Sequence, residues 1–265
     1  MKVEQANSIV RNAIEELSQE LEQGHSERLR NYLAAMATFH RYSLHNILLI
    51  KYQRPDATRD GGYTKWRQFG RQVKLGAKGI VILAPIFLKC MANDVDQEDH
   101  SRPVTAFRNV YVFDVSDTQG EPLPELGKTQ GDPSGYTERL KEFVSQSGIQ
   151  LQYSEAIYPA LGRSSPGKIE LLPGQSPAEE FATVAHEISH LRLHQGPRRA
   201  ETTKCVRETE AEAVAYVVCE AIGLKAERAA DYIRLYSGDE DTLAESLEHA
   251  HKASMEILGA IAPEC

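Results

Sequence analysis

The sequence predicts an α+β chain in two parts: a small mixed domain, then a mostly helical domain with a small sheet. Three observations lead there. At 265 residues the chain is longer than one small domain needs, and about 150 residues per domain suggests two. The hydrophobic period changes along the chain, from helical spacing to short β-type runs in the first half, then to apolar helices in the second. Residues 118–135 are rich in Gly and Pro and weakly patterned, as a boundary should be. These place one domain at 1–125 and the other at 136–265, with 126–135 as linker.

Taken in order, Val3, Ala6, Ile9, Val10, Ala13, Ile14, Leu17 and Leu21 recur at helical spacing, and Gly24 breaks the run. A second helix runs from about Glu27 to Phe39, with Leu29, Leu33 and Met36 inward. Ser43 caps a third, which Pro55 stops. Residues 63–70 read as a short helix and Ile80–Pro85 as a strand. The polar, acidic stretch 92–103 reads as a hairpin loop or a disordered tip, and Asn109–Val115 as the returning strand. In the second domain, 136–146 is a helix, and 149–153 and 168–172 are strands. Helices follow over 176–195, 203–222, 226–236 and 241–260.

The net charge of -8 is unevenly spread. Residues 1–125 carry 16 basic and 16 acidic side chains, whereas 126–265 carry 14 and 22, so the second half holds the whole surplus. Within the first half, residues 41–89 hold ten basic residues against only Asp56 and Asp60. Such a block is the electrostatic footprint of a polyanion-binding surface. No apolar run is long enough to cross a bilayer. The start, Met1-Lys2-Val3-Glu4-Gln5, lacks the layout of a signal peptide, so a cytoplasmic location without membrane contact is the expectation. Cys90, Cys205, Cys219 and Cys265 form no CxxC pair. Cys205 and Cys219 fit helix packing better than chemistry.

The strongest chemical signal is His186-Glu187-Ile188-Ser189-His190. Histidines four apart share one helix face and can grip one zinc ion, Zn2+. Glu187, one residue on from the first of them, lies beside such an ion and can take a proton from its water. Ser176-Pro177-Ala178-Glu179 reads as the helix start and Gln195-Gly196-Pro197 as its end. A hydrolytic zinc site needs a third protein ligand, and the next helix offers Glu208, Glu210 and Glu212. Glu208 and Glu212 share a face with Ala211 and Ala215, while Glu210 faces Val206, Val214 and Val217. Helical period leaves the choice among the acids open. His194 continues the His190 face, either supporting the site from outside, substituting as a ligand, or simply sitting at the helix C-terminus, where the dipole favours it. Tyr216 and His194 are the candidates for stabilising an oxyanion.

HEISH followed by the E-x-x-A-E run Glu208–Glu212 resembles zincin-type metallopeptidases of the ImmA/IrrE sort. The resemblance implies His186, His190 and Glu208 as ligands, Glu187 as general base and Glu212 as an outer support, where Asp or Asn is more usual. The strings Tyr42–Ile50, Gly62–Trp66 and Gly70–Ile80, with Val112–Ser116 and Thr118–Gly120, resemble the single-stranded-DNA-binding domain of ArdC-like antirestriction proteins. The order of the two halves is that of the ArdC family. The family's implied roles are DNA protection or cleavage of a DNA-associated protein, the protein substrate being unspecified. The alternatives are a non-catalytic single-stranded-DNA-binding protein with a structural or vestigial zinc site, and a regulatory peptidase that cleaves a repressor. Single strands are held by basic grooves with aromatic stacking faces, and the basic window interleaves with Tyr42, Tyr52, Tyr63, Trp66 and Phe69. The expected contacts are Arg41, Tyr42, Asn46, Tyr63, Lys65, Trp66, Arg71, Lys74 and Lys78. Trp66 is a stacking platform on this reading and a core residue on its rival.

Overall fold

The computed structural model describes residues 2–23, 27–87, 104–121, 132–133, 135–224 and 240–262. The chain forms two compact units. One joins Met1–Ala13 to His45–Pro124; the other joins Ile14–Leu44 to Glu125–Cys265. The break after Pro124 falls beside the boundary read from the sequence. Residues 14–44, grouped with the first domain from sequence, pack instead with the second unit. The reason is apolar burial: helix α2 (Glu27–Thr38) seals Leu29, Leu33 and Met36 in a contact with α8 (Lys204–Ala221). The expected helix at 226–236, the polar stretch 92–103 and most of the linker lie outside the described residues.

In the first unit, the start of α1 (Val3–Glu22) sets Ala6 against Leu49 of α3 (Leu44–Gln53) and Leu83 of β3 (Ile80–Phe87). Strand β3 pairs antiparallel with β4 (Val104–Asp114), and β1 (Asp60–Gly61) adds two residues to the far end of β4. A separate ladder joins β2 (Arg71–Val73) to β5 (Thr118–Gly120). The outer edge of β3 is closed by side chains. Asn46 donates to Leu83 O and accepts from Leu83 N, both at 2.9 Å. Gln53 does the same for Val81, at 2.8 and 3.0 Å. Two carboxamides on α3 thereby act as a substitute strand and satisfy backbone groups that an edge would leave open.

In the second unit, a three-stranded sheet has β8 (Lys168–Leu171) in the centre, parallel to β6 (Gln150–Tyr153) and antiparallel to β7 (Gly162–Ser165). Strand β7 was not evident from sequence, because Gly-Arg-Ser-Ser carries no apolar alternation. Helices α5 (Tyr136–Gln146), α6 (Pro177–Leu193), α8 and α9 (Glu240–Ile261) pack around one another, with α5 against β6 and α6 against β7, β8 and α8. The short α7 (Pro197–Glu201) links α6 to α8. Among the described residues, no helix is long and apolar enough to cross a membrane.

Candidate metal centre

Helix α6 begins as its sequence requires. Ser176 Oγ accepts from Glu179 N, the Glu179 carboxylate accepts from Ser176 N, and Pro177 occupies the first turn. This reciprocal cap fixes where the helix starts and therefore which face carries the two histidines. Phe181, Val184, Ala185 and Ile188 are fully buried, anchoring that face toward α8. On α8, Thr203 caps the first turn, and Ala211, Ala213 and Ala215 are small buried residues that allow close approach.

His186, His190 and Glu208 converge in a cluster that can hold a metal ion. The Nε2 atoms of the histidines are 3.1 Å apart, and Glu208 Oε2 lies 3.6 Å from His186 Nε2 and 3.5 Å from His190 Nε2. Ligands about 2.0–2.1 Å from a tetrahedral ion stand roughly 3.3–3.4 Å from each other, so the triangle suits that ion. Glu212 Oε2 accepts a hydrogen bond from His186 Nδ1–H at 2.9 Å, which leaves His186 Nε2 facing the triangle. The electrostatics point the same way. Burial opposes charge on His186, but the bonds to Glu208 and Glu212 outweigh it and push its pKa up to about 10. His186 and His190 hold the Glu208 carboxyl well below the usual carboxylate range. The three groups together favour positive charge at the triangle.

Glu187 is buried on α6 beside β7. A Cβ at Gly162 would come within 2.7 Å of Glu187 Cγ, 2.8 Å of its Oε1 and 2.6 Å of Thr183 Cγ2. Gly162 is therefore what lets the Glu187 carboxylate lie against the strand. Sequence reading could have looked for a glycine opposite the motif, but no local signal identifies which one.

The acid left open by periodicity, Glu210, is fully buried away from the triangle and bonded to Arg198, Ser246 and His194. His194 is buried and engaged at both ring nitrogens. It has no free N–H for an oxyanion. Tyr216 is half-buried and feels the charges of Glu220 and Arg30. Cys219 is buried, which pushes its thiol up to about 12 and fits a packing role.

The expected DNA contacts divide. Trp66 is 3% exposed, and its Nε1–H donates to Phe113 O at 2.9 Å. It is a core residue rather than a stacking platform, since the fold buries its ring and uses its only polar atom. Asn46 is buried in the bracket on Leu83 and is not available to nucleic acid. Arg71 is engaged by Thr118 Oγ1 at 2.8 Å and by the carbonyls of Thr118, Gly120 and Glu121, so it pins β2 to β5. Arg41 is exposed and Tyr42 half-buried, with Tyr42 O accepting from His251 Nε2; both belong to the second unit. Tyr63, Lys65, Lys74 and Lys78 are exposed on the first unit, with Lys74 reaching Ser116 O at 2.8 Å. Two aromatics that sequence reading passed over, Phe107 and Tyr111 on β4, are 51% and 56% exposed. The Tyr111 ring lies over Gly79, next to Lys78, and a Cβ at Gly79 would come within 2.9 Å of it.

Residues 3–113 match the family model of the N-terminal domain of anti-restriction factor ArdC. The fold superposes on the crystal structure of metal-free antirestriction protein ArdC from the R388 plasmid with a TM-score of 0.56 at 18% identity, covering 95% of this chain and 97% of that one. Against the Mn(II)-bound structure of that protein the TM-score is 0.53 at 18% identity, covering 96% and 98%. The Bacillus anthracis protein pXO2-81 is 24% identical over 273 residues, a match covering 85% of this chain and 46% of the relative. The chain thus spans about half the length of that relative. Residues 3–113 thus resemble the N-terminal domain of anti-restriction factor ArdC, and the chain shares its fold with the R388 protein.

Proposed function

We propose that the chain is an antirestriction factor whose first unit binds single-stranded DNA and whose second unit hydrolyses a peptide bond at the His186–His190–Glu208 centre. The observation that carries the hydrolytic reading is the triangle of two imidazoles and a carboxylate beside a buried acid, Glu187. Two histidines and a glutamate are a donor set suited to zinc, and zinc is the ion we assign. Bound there, a divalent ion would lower the pKa of a water molecule and polarise a carbonyl. His186, His190 and Glu208 would hold it, and Glu212 would keep His186 oriented through Nδ1. Glu187, fixed by the gap at Gly162, would accept the proton from the attacking water and pass it to the leaving amine. The Mn(II)-bound state of the R388 protein supports a divalent ion in this fold.

The DNA reading is supported by the ArdC N-terminal match and by the exposed cations Lys65, Lys74 and Lys78. Exposed Tyr63, Phe107 and Tyr111 supply the stacking faces that Trp66 does not. Both arms are tested with Glu187→Gln in the full chain. The variant should keep zinc and oligo-dT binding while losing proteolysis of proteins from a restricting host. It should also lose protection of unmodified DNA entering that host. If Glu187→Gln protects as well as the wild type, hydrolysis is not the activity and coating of single strands is. Equal or tighter binding to a duplex would sink the single-strand reading.

A further inference from the structure

Metal-binding histidines usually have their second ring nitrogen held by another group. Glu212 does this for His186. His190 is held differently: its Nδ1 lies 3.0 Å from Nδ1 of His194, and His194 Nε2 lies 2.9 Å from Glu210 Oε2. The side chains of His194 and Glu210 are 0% and 1% exposed. Glu210 is in turn gripped by an Arg198 N–H at 2.6 Å and the Ser246 hydroxyl at 2.7 Å. We propose that Glu210, acting through His194, is the positioning residue that fixes which nitrogen of His190 carries the proton and so presents His190 Nε2 to a divalent ion. The inference rests on the triangle being a metal centre.

Donor and acceptor counting carries the argument. An ionised carboxylate only accepts, so His194 Nε2 carries a hydrogen. Arg198 faces the Glu210 carboxylate and reaches the exposed Glu245 as well, and a second proton on His194, whose side chain is sealed from water, would carry the desolvation cost of a buried charge. His194 is therefore neutral, its Nδ1 holds a lone pair, and it accepts. The hydrogen between the two rings then belongs to His190 Nδ1. His190 Nε2 is left with its lone pair toward His186 Nε2 and Glu208, as a metal ligand requires. Because Arg198 lies on α7 and Ser246 on α9, this arm ties a ligand on α6 to two further elements. Glu212 reaches His186 from α8 alone.

The test uses the full-length chain and zinc alone as the probe. His194→Leu fills the site without either nitrogen. His194→Gln restores one acceptor and one donor on a single planar group. Imidazole nitrogen shifts of the metal-free wild type should show His190 protonated on Nδ1. H194L should lose that signature and bind zinc about 10–100-fold more weakly in chelator competition, the usual effect of removing an outer partner. H194Q should recover most of both. His190 protonated on Nε2 in the wild type, or H194L binding zinc as tightly as wild type, overturns the proposal. If H194L does not fold, the wild-type nitrogen assignment decides alone, Nδ1 supporting and Nε2 overturning. Failure of the metal reading looks different: the wild type would then bind no zinc at all, which removes the arm's purpose and the proposal with it.

Discussion

Replacing Trp66 separates a core role from a DNA-contact role. The indole is 3% exposed and rests on Gly61, with ring atoms 3.2–3.3 Å from where a Gly61 Cβ would stand. A buried tryptophan hides about 150–250 Å², which at about 25 cal/mol/Å² amounts to roughly 4–6 kcal/mol. Removal of such a ring to alanine measures about 3–5 kcal/mol, cavity included. Losing the Nε1–H bond to Phe113 O adds about 1 kcal/mol. Trp66→Ala should therefore lower the stability of the first unit by about 4–6 kcal/mol, and Trp66→Phe by about 1–3 kcal/mol. Urea unfolding followed by circular dichroism measures both. Because this is the chain's only tryptophan, wild-type fluorescence reports that unit by itself. Its emission should be blue-shifted and unmoved by oligo-dT. A Trp66→Ala protein with a wild-type midpoint but weakened oligonucleotide binding would refute the reasoning.

Gly162→Ala should push Glu187 and Thr183 off their positions, lowering stability by about 1–3 kcal/mol as overpacking does. Zinc affinity should hold while turnover drops by about 100-fold, as a displaced base implies; a variant neutral in both would show that Glu187 does not lie on β7. Asp60 is raised to about 7 by burial and by the nearby Asp114. An acid whose folded pKa lies above its unfolded 3.8 destabilises the fold once ionised, so this penalty is absent below pH 3.8 and complete above about 7. Asp60→Asn should therefore outperform the wild type in denaturant above pH 7 and converge with it below pH 4. A constant difference across that range would contradict the assignment. A fragment ending at residue 124 should keep β3 and β4 amides protected from exchange but lose protection over 27–38, since α2 leaves its partner α8 behind. Full protection of α2 in that fragment would show that it belongs to the first unit.

Sequence made helix α6 legible because its information is local. The Ser176–Glu179 cap, the four-residue spacing of the histidines and the apolar neighbours all lie within one helix. The face shared by Glu208 and Glu212 was legible for the same reason. What turned Glu210 away was not, since it depends on Arg198 and Ser246 arriving from other elements. Strands β2, β5 and β7 are three or four residues long, too short for a period to register, and exist through distant partners. Composition marked a basic window but not its accessibility. Arg71 is absorbed into a ladder, Asn46 into a strand edge and Trp66 into the core. Phe107 and Tyr111 lie outside that window on an alternating strand that gave no hint of which aromatic faced water.

The central claim is that His186, His190 and Glu208 hold one divalent ion. Elemental analysis of the wild type, His190→Ala and Glu208→Ala after exhaustive dialysis, with folding verified by circular dichroism, tests it most directly. The account predicts one zinc per wild-type chain and little or none in either variant. Full occupancy in folded His190→Ala or Glu208→Ala would contradict it.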